Sequence, residues 1–382
     1  MISSTCAAPH EASIMTVPFT PLVAALPTTV PFVGPEAQER ARGRNFRARL
    51  GANESVFGPA PAAIAAMSRA AAESWRYGDP ESYDLRAALA ARYGAGLGNV
   101  VVGEGIDALL GVAVRLFTAP GETVVTSLGA YPTFNYHVAG VGGRLVTVPY
   151  RDDREDQEAL ARTAWAERAR VVYLANPDNP MGTHWSGGDV AALLDALPPA
   201  CMLFLDEAYA EFAPDDVRTA IALDDPRVIR FRTFSKAYGM AGLRIGHALA
   251  APEVARAFDK LRNHFGVNRV AQAGALAALG AEDWLGEVIA RVGRSRERIA
   301  DIAMANGLRP LPSATNFVAI DCGADGAFAR RVLEGLIARD IFVRMPGVAP
   351  LDRCIRVTAG TPEDLELFAA ALPEALAQVR EG

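Results

Sequence analysis

The chain has 382 residues, 51% hydrophobic and 21% charged, with a formal net charge of -6 at pH 7. That is enough apolar material for one large core or two joined ones, which excludes a disordered chain and a small stapled scaffold. The 38 basic and 44 acidic residues form no long block of one sign, so a footprint for a phosphate backbone is missing and nucleic acid is not an expected partner. All but two of the basic residues are arginine; Lys236 and Lys260 are the two lysines. Chemistry that needs an amine side chain therefore has two candidates.

Cys6, Cys201, Cys322 and Cys354 are far apart and include no C-x-x-C, which suggests free, structurally buried thiols in a reducing cytoplasm. No run approaches the roughly 18 apolar residues of a membrane span, so no membrane partner is expected. The first 15 residues carry Glu11 but no Lys or Arg, which argues against a secretory signal. Met15 is an alternative start, with residues 1–14 expected as a disordered extension.

In chain order, residues 16–50 are rich in Pro and then in Arg and suggest an extended arm that leans on another part of the molecule. Apolar periodicity then predicts helix 60–74, helix 84–95, strand 98–102, helix 107–117, strand 122–126, helix 131–139 and strand 144–149. A helix near 155–167 is followed by strand 171–175, a helix near 187–196, and strands 201–205, 228–232 and 245–250. These runs lack polar alternation, as expected of strands buried on both faces in a mainly parallel sheet sandwiched by helices. A helix at 252–265 follows, with Val254, Phe258, Leu261 and Phe265 as its expected buried stripe and Lys260 off it, in solvent. The remainder, helical from 268 to 306, then strands 316–321, 341–345 and 354–358 and helix 362–379, reads as a smaller α+β domain. The expected division is an arm over 1–50, a large domain over 51–267 and a small one over 268–382.

In open α/β sheets ligands collect beyond the carboxyl ends of the strands, and the unusual residues lie there. Strand 201–205 runs into Asp206, Glu207, Ala208 and Tyr209; a carboxylate at the end of an apolar strand is costly unless something cationic or protonated meets it. Strand 228–232 runs into Thr233, Phe234, Ser235 and Lys236, then Arg244 interleaved with Gly239, Gly242 and Gly246. No GxxxxG precedes the lysine, so this is not a phosphate loop of the nucleotide type. It suits a lysine bonded covalently to a cofactor whose phosphate is held by hydroxyls and an arginine.

After strand 171–175, the turn-rich loop around Asn179 offers an amide donor to a phenolate-like oxygen. Gly105 precedes a helix whose free N–H groups at Ile106 and Asp107 make an anion site. Tyr131 opens another helix and could stack on a flat ring. Arg356 alternates with Ile355 and Val357, so it points away from their face and could bind a carboxylate in bidentate fashion; Arg344 is either a second anion site or an ion pair.

The set Asn179-Pro180-x-Gly182, Asp206-x-x-Tyr209, Ser235-Lys236-x-x-Gly239-x-x-Gly242-x-Arg244 and Arg356-Val357-Thr358-x-Gly360-Thr361 resembles the fold-type I pyridoxal-phosphate aminotransferases, specifically the histidinol-phosphate aminotransferase branch. Ala52-Asn53-Glu54, Arg76-Tyr77, Val267-Asn268 and Asn316-Phe317 are further echoes, and the likeness covers about residues 30–375. The resemblance implies that Lys236 holds pyridoxal 5'-phosphate covalently and, once released, becomes the base for the substrate's Cα proton. It implies that Asp206 keeps the cofactor's ring nitrogen protonated, that Tyr209 and Asn179 bond its phenolic oxygen, and that Tyr131 stacks on its ring. The phosphate would be held by Ile106, Asp107, Thr233, Ser235 and Arg244, with Tyr77 reaching across from a second subunit of a homodimer. Arg356 would take the α-carboxylate, and no metal is implied; Arg344 could recognise a second anion, a phosphate or the distal carboxylate of glutamate, or could pair with an acidic neighbour.

Met181, Gly78, Ser55-Val56, Ala108 and His264-Phe265-Gly266 depart from the family's usual residues, near where a substrate side chain would rest. The implied reaction passes an amine between an L-amino acid and a 2-oxo acid, with glutamate and histidinol phosphate as the leading pair and an aromatic or other hydrophobic amino acid as the alternative. Two rivals are a pyridoxal-phosphate-dependent decarboxylase of phosphorylated amino acids and a nucleotide-binding regulatory module. The module lacks support because no G-x-G-x-x-G follows the first strand.

Overall fold

The computed structural model describes residues 17–28, 32–217, 219 and 221–381. The proposed extension over residues 1–14, Met15 and Cys6 lie outside the described residues.

The first part of the chain folds as α1 (Pro21–Ala25), α2 (Pro35–Arg42), β1 (Ala48–Arg49), α3 (Pro61–Ala71), α4 (Tyr83–Tyr93), β2 (Val100–Gly103), α5 (Ile106–Phe117), β3 (Thr123–Ser127), α6 (Pro132–Gly140) and β4 (Arg144–Val148). It continues through α7 (Gln157–Ala166), β5 (Val171–Ala175), α8 (Gly187–Ala196), β6 (Met202–Asp206), β7 (Val228–Thr233), β8 (Gly246–Ala250) and α9 (Pro252–Ala257). The last part comprises α10 (Arg269–Leu279), α11 (Glu282–Ala305), β9 (Arg309–Pro310), β10 (Phe317–Asp321), α12 (Gly326–Ala338), β11 (Ile341–Phe342), β12 (Cys354–Thr358) and α13 (Pro362–Glu381).

Strands β2 to β8 form one sheet in the order β2-β8-β7-β6-β5-β3-β4, parallel throughout except that β8 runs against both of its neighbours. β5 and β6 are buried along their whole length, because helices cover both faces. One face packs on α5, α6 and α9 through Leu110, Val114, Phe134 and Val254, and the other packs partly on α7 and α8 through Leu160 and Leu193. A three-stranded antiparallel sheet, β12-β10-β9, packs on α11, α12 and α13 through Ile299, Val332, Leu336 and Phe368. The fold is therefore a large, mainly parallel α/β layer with a smaller α+β unit beside it. Among the described residues no helix is long and apolar enough to cross a membrane.

Three local expectations are corrected. The arm is not simply extended: residues 35–42 form α2, which starts at Pro35 and stops at Gly43 with φ +69°. Its basic run is neutralised locally, Arg42 and Arg44 on Asp340 and Arg49 on Glu36 and Glu39, and β1 pairs in parallel with β11. The helix expected over 252–265 ends at Ala257, with one tighter turn through Lys260. Val254 and Phe258 are buried, but Leu261 and Phe265 are exposed, and Phe265 lies 4.9 Å from the ring of Tyr77. The strand expected over 341–345 shrinks to β11, after which a single bridge joins Arg344 to Arg356. That bridge sets the two arginines side by side.

Gly239 has φ +68°, and a Cβ there would stand 2.4 Å from the carbonyl carbon of Gly58 and 2.8 Å from the nitrogen of Pro59. The loop that carries Lys236 thus packs backbone to backbone on the segment that follows Asn53. Gly239→Ala is expected to destabilise the fold by about 2 kcal/mol or more, from the left-handed backbone and the clash together. Chemical denaturation measures this, and an unchanged midpoint would show that the two segments can separate freely.

Candidate active site

The carboxyl ends of β2, β3, β5, β6 and β7 open on one edge of the large sheet, where a cavity of about 290 Å³ lies between that edge and the smaller unit. Its walls include Ile106, Asp107, Tyr131, Asn179, Asp206, Tyr209, Thr233, Ser235, Lys236, Arg244, Arg344 and Arg356. Of the residues to which the resemblance gives a place in the site, Tyr77 is absent from these walls and is 77% exposed on the outer surface. Lys260 is also outside it and exposed, which leaves Lys236 as the cavity's amine.

Each side chain is delivered by a strand end or a helix start. β6 ends in Asp206, whose Oδ2 accepts from the Tyr173 hydroxyl at 2.6 Å and whose Oδ1 accepts from the Ala208 N–H at 3.0 Å. Tyr173 is itself clamped in the sheet by stacking on Phe134 at 4.3 Å. Burial pushes the Asp206 carboxyl above the usual carboxylate range. Both of its hydrogen-bond donors are neutral, so an approaching cation, such as a protonated ring nitrogen, meets an uncompensated carboxylate.

β7 ends in Thr233, whose hydroxyl accepts from the Ser235 N–H at 3.0 Å, and Lys236 follows. The Lys236 Nζ donates to the backbone carbonyl of Asn53 at 3.0 Å. Its pKa is lowered to about 8, first by burial and then by the charges of Arg356 and Arg244, against the pull of Glu54 and Asp206. A fraction of the amine is therefore neutral and nucleophilic at neutral pH.

Gly105, at φ +87°, starts α5 with no side-chain cap, so the first N–H groups of the helix, Ile106 and Asp107, are free for an anion. A Cβ on Gly105 would lie 2.7 Å from Nη2 of Arg244, so the guanidinium fits over the helix start only because the residue is glycine. The Asp107 carboxylate would repel a phosphate, but His137 Nε2 holds it at 2.9 Å. The N–H groups, Arg244, Thr233 and Ser235 line the same cavity, and this donor set fits the phosphate of the pyridoxal phosphate that the sequence resemblance implies.

The opposite wall is cationic. Arg356 hydrogen-bonds Asn179 Oδ1 through Nη1, and its Nε is buried without a partner among the described residues. Burial lowers its pKa to about 10. Arg344 donates to the Val33 carbonyl at 2.9 Å and lies 4.9 Å from the ring of Phe32. Burial lowers its pKa as well. Tyr131, its pKa raised to about 12 by burial, stands 6.2 Å from Phe32 in a stacked arrangement.

Sequence reasoning missed four contributors to this site. Tyr173 reads as a plain core aromatic in an apolar strand, and Phe32 as part of a featureless arm. Asn53 and Asn316 read in sequence as echoes of the family without a task of their own. The structure gives Asn53 several: its Nδ2 donates to the Tyr209 hydroxyl at 2.9 Å, and its backbone carbonyl also accepts from Asn316 at 3.1 Å.

In protein without cofactor, acetylation of Lys236 by acetic anhydride is expected to rise with pH through a midpoint near 8. Quantitative peptide mapping reads it; a midpoint above 10 would contradict the effect of burial.

Residues 48–372 match the model of the family described as aminotransferase class I and II. Histidinol-phosphate aminotransferase 1 of Mesorhizobium japonicum is 36% identical over 337 residues, covering 86% of this chain and 90% of its own. A histidinol-phosphate aminotransferase of Moorella thermoacetica is 33% identical over 347 residues, covering 90% and 89% respectively. The crystal structure of histidinol-phosphate aminotransferase from Sinorhizobium meliloti in complex with pyridoxal-5'-phosphate superposes with a TM-score of 0.93. It is 55% identical and covers 95% of this chain and 99% of that one.

Proposed function

The chain belongs to the aminotransferase class I and II family, and from that premise we propose how its own residues run the transfer and what they accept. It is a pyridoxal-phosphate-dependent aminotransferase of the histidinol-phosphate aminotransferase branch. The substrates we assign are glutamate with 2-oxoglutarate and histidinol phosphate with its oxo counterpart. One observation carries that assignment: two half-buried arginines, Arg344 and Arg356, stand side by side in the cavity that holds Lys236, and neither has a carboxylate partner among the described residues. The two carboxylates of glutamate satisfy both, and histidinol phosphate, which has no carboxylate, brings its phosphate to the same pair.

When bound, pyridoxal phosphate supplies an electron-withdrawing ring that stabilises negative charge at the substrate's Cα. The protein does the rest. Ile106, Asp107, Thr233, Ser235 and Arg244 would anchor the phosphate, Tyr131 would cover one ring face, and Asp206 would keep a proton on the ring nitrogen. Asn179 and Tyr209 would donate to the phenolic oxygen. Arg356 would orient the α-carboxylate, so that the Cα–H bond is held near Lys236. Lys236 Nζ, lowered in pKa by its surroundings, takes the Cα proton and later returns one to the product side.

The same reading proposes a homodimer in which Tyr77 reaches the phosphate of the neighbouring site. Trp75, Tyr77 and Phe265 are 81%, 77% and 54% exposed, an aromatic surface that a second subunit would cover. Sedimentation at micromolar concentration tests it; a monomer would contradict it. A cytoplasmic setting is proposed with it, in keeping with the free, buried Cys201, Cys322 and Cys354.

Lys236→Ala is expected to abolish turnover with an unchanged circular dichroism spectrum, and wild-type transamination by it would refute the mechanism. In a panel of amino donors against 2-oxoglutarate, histidinol phosphate is expected to be used, with oxo acid and not CO₂ as product. Arg344→Ala is expected to lower kcat/KM for glutamate, whose side chain ends in a carboxylate, by about 100-fold, as for a charge-assisted contact worth about 3 kcal/mol, and to spare donors with uncharged side chains. Arg356→Ala is expected to raise KM for every amino acid donor, since all share the α-carboxylate. Equal losses for all donors in Arg344→Ala would remove Arg344 from side-chain recognition.

A further inference from the structure

Asn53 sits at the junction of three parts of the site. It is 3% exposed, at the end of the segment that follows β1, and has φ +55°. Asparagine tolerates this left-handed backbone better than most residues, glycine apart. Its backbone N–H donates to the Thr358 hydroxyl at 3.1 Å, and that hydroxyl donates to Asn53 Oδ1 at 3.2 Å. Its Nδ2 donates to the Tyr209 hydroxyl at 2.9 Å, and its backbone carbonyl accepts from the Lys236 amine at 3.0 Å.

These contacts fix directions as well as positions. The Thr358 hydroxyl accepts from the Asn53 N–H, so its own hydrogen is free for Oδ1, and this sets which end of the amide faces which neighbour. The NH₂ end is left to face Tyr209. A phenol has one hydrogen, and an amide NH₂ can only donate, so the Tyr209 oxygen must act as acceptor toward Asn53. Its hydrogen is thereby left for another acceptor, and Tyr209 lines the cavity.

We infer that Asn53 is a positioning residue that directs the Tyr209 hydroxyl hydrogen into the cavity and seats the Lys236 amine on its backbone carbonyl, with Thr358 holding the amide in register. The inference rests on the assignment of Tyr209 as a donor to the cofactor's phenolic oxygen. It extends to the substrate side. Thr358 lies two residues beyond Arg356 in β12, on the same strand face, so the carboxylate site and the phenol share one hydrogen-bonded frame.

The test is a pH titration of the visible absorbance of the holoenzyme. A donor to the phenolic oxygen favours the deprotonated chromophore, so losing it raises the midpoint. Tyr209→Phe is expected to raise it. Asn53→Gly keeps the left-handed backbone and the carbonyl but removes the amide, and is expected to raise the midpoint by about 0.5–1 pH unit, a three- to tenfold change in the proton dissociation constant. Added to Tyr209→Phe, Asn53→Gly is expected to do nothing further.

A Tyr209→Phe shift without an Asn53→Gly shift overturns the inference and leaves the reading of Tyr209 standing. Equal Asn53→Gly shifts in both backgrounds also overturn it, since the amide would then act by another route. A midpoint unmoved by Tyr209→Phe overturns both. Should Asn53→Gly fail to fold, Asn53→Asp keeps the shape and the backbone preference, while its carboxylate takes the hydroxyl hydrogen for itself. Its shift is expected to be larger with Tyr209 present than in the Tyr209→Phe background, and equality overturns the inference.

Discussion

A lysine amine enclosed beside two arginines is the constraint on which this structure turns. Burial of Lys236 and the charges of Arg356 and Arg244 oppose a further positive charge, so the amine, lowered to about 8, gives up its proton sooner than a free lysine does. The same enclosure lowers Arg356 to about 10 and raises the Asp206 carboxyl. A ligand that brings anionic groups for the arginines and a cationic ring atom for the aspartate would offset these charges, and pyridoxal phosphate with the proposed substrates would provide both.

The fold holds these unfavourable charges in place from behind. Glu207, next to Asp206, is clamped by Arg230 at 2.9 Å and Arg232 at 3.1 Å, which fixes the chain as it leaves β6. Next to Asn179, Asp178 accepts from Tyr150 at 2.8 Å, and its charge acts on Glu155, which accepts from Ser127 at 2.6 Å. Burial raises the pKa of both carboxyls, Asp178 to about 7, so the loop that presents Asn179 rests on a buried acid cluster. The smaller unit contributes β12 and the bridge at Arg344, and the cavity exists only where the two layers meet.

Much of this was legible in the chain itself. Buried parallel strands announce themselves by apolar runs such as residues 171–175, and the scarcity of lysine pointed to Lys236 before any geometry was known. The misreadings share a cause: local composition was taken to decide what tertiary contacts decide. Prolines and arginines around α2 suggest an extended arm, yet Asp340, Glu36 and Glu39 pair with the arginines and residues 35–42 are helical. The spacing of Leu261 and Phe265 continued a helical stripe past the point where the helix stops, and Phe265 packs on Tyr77 instead. Asn53 was invisible as a working residue because its importance lies in a left-handed φ and in partners more than 150 residues away in sequence.

The most direct measurement is borohydride reduction of the protein loaded with pyridoxal phosphate, followed by proteolysis and mass mapping. The expected result is a single pyridoxyl adduct, on Lys236. An adduct confined to Lys260, or none at all, would contradict the assignment of the buried amine.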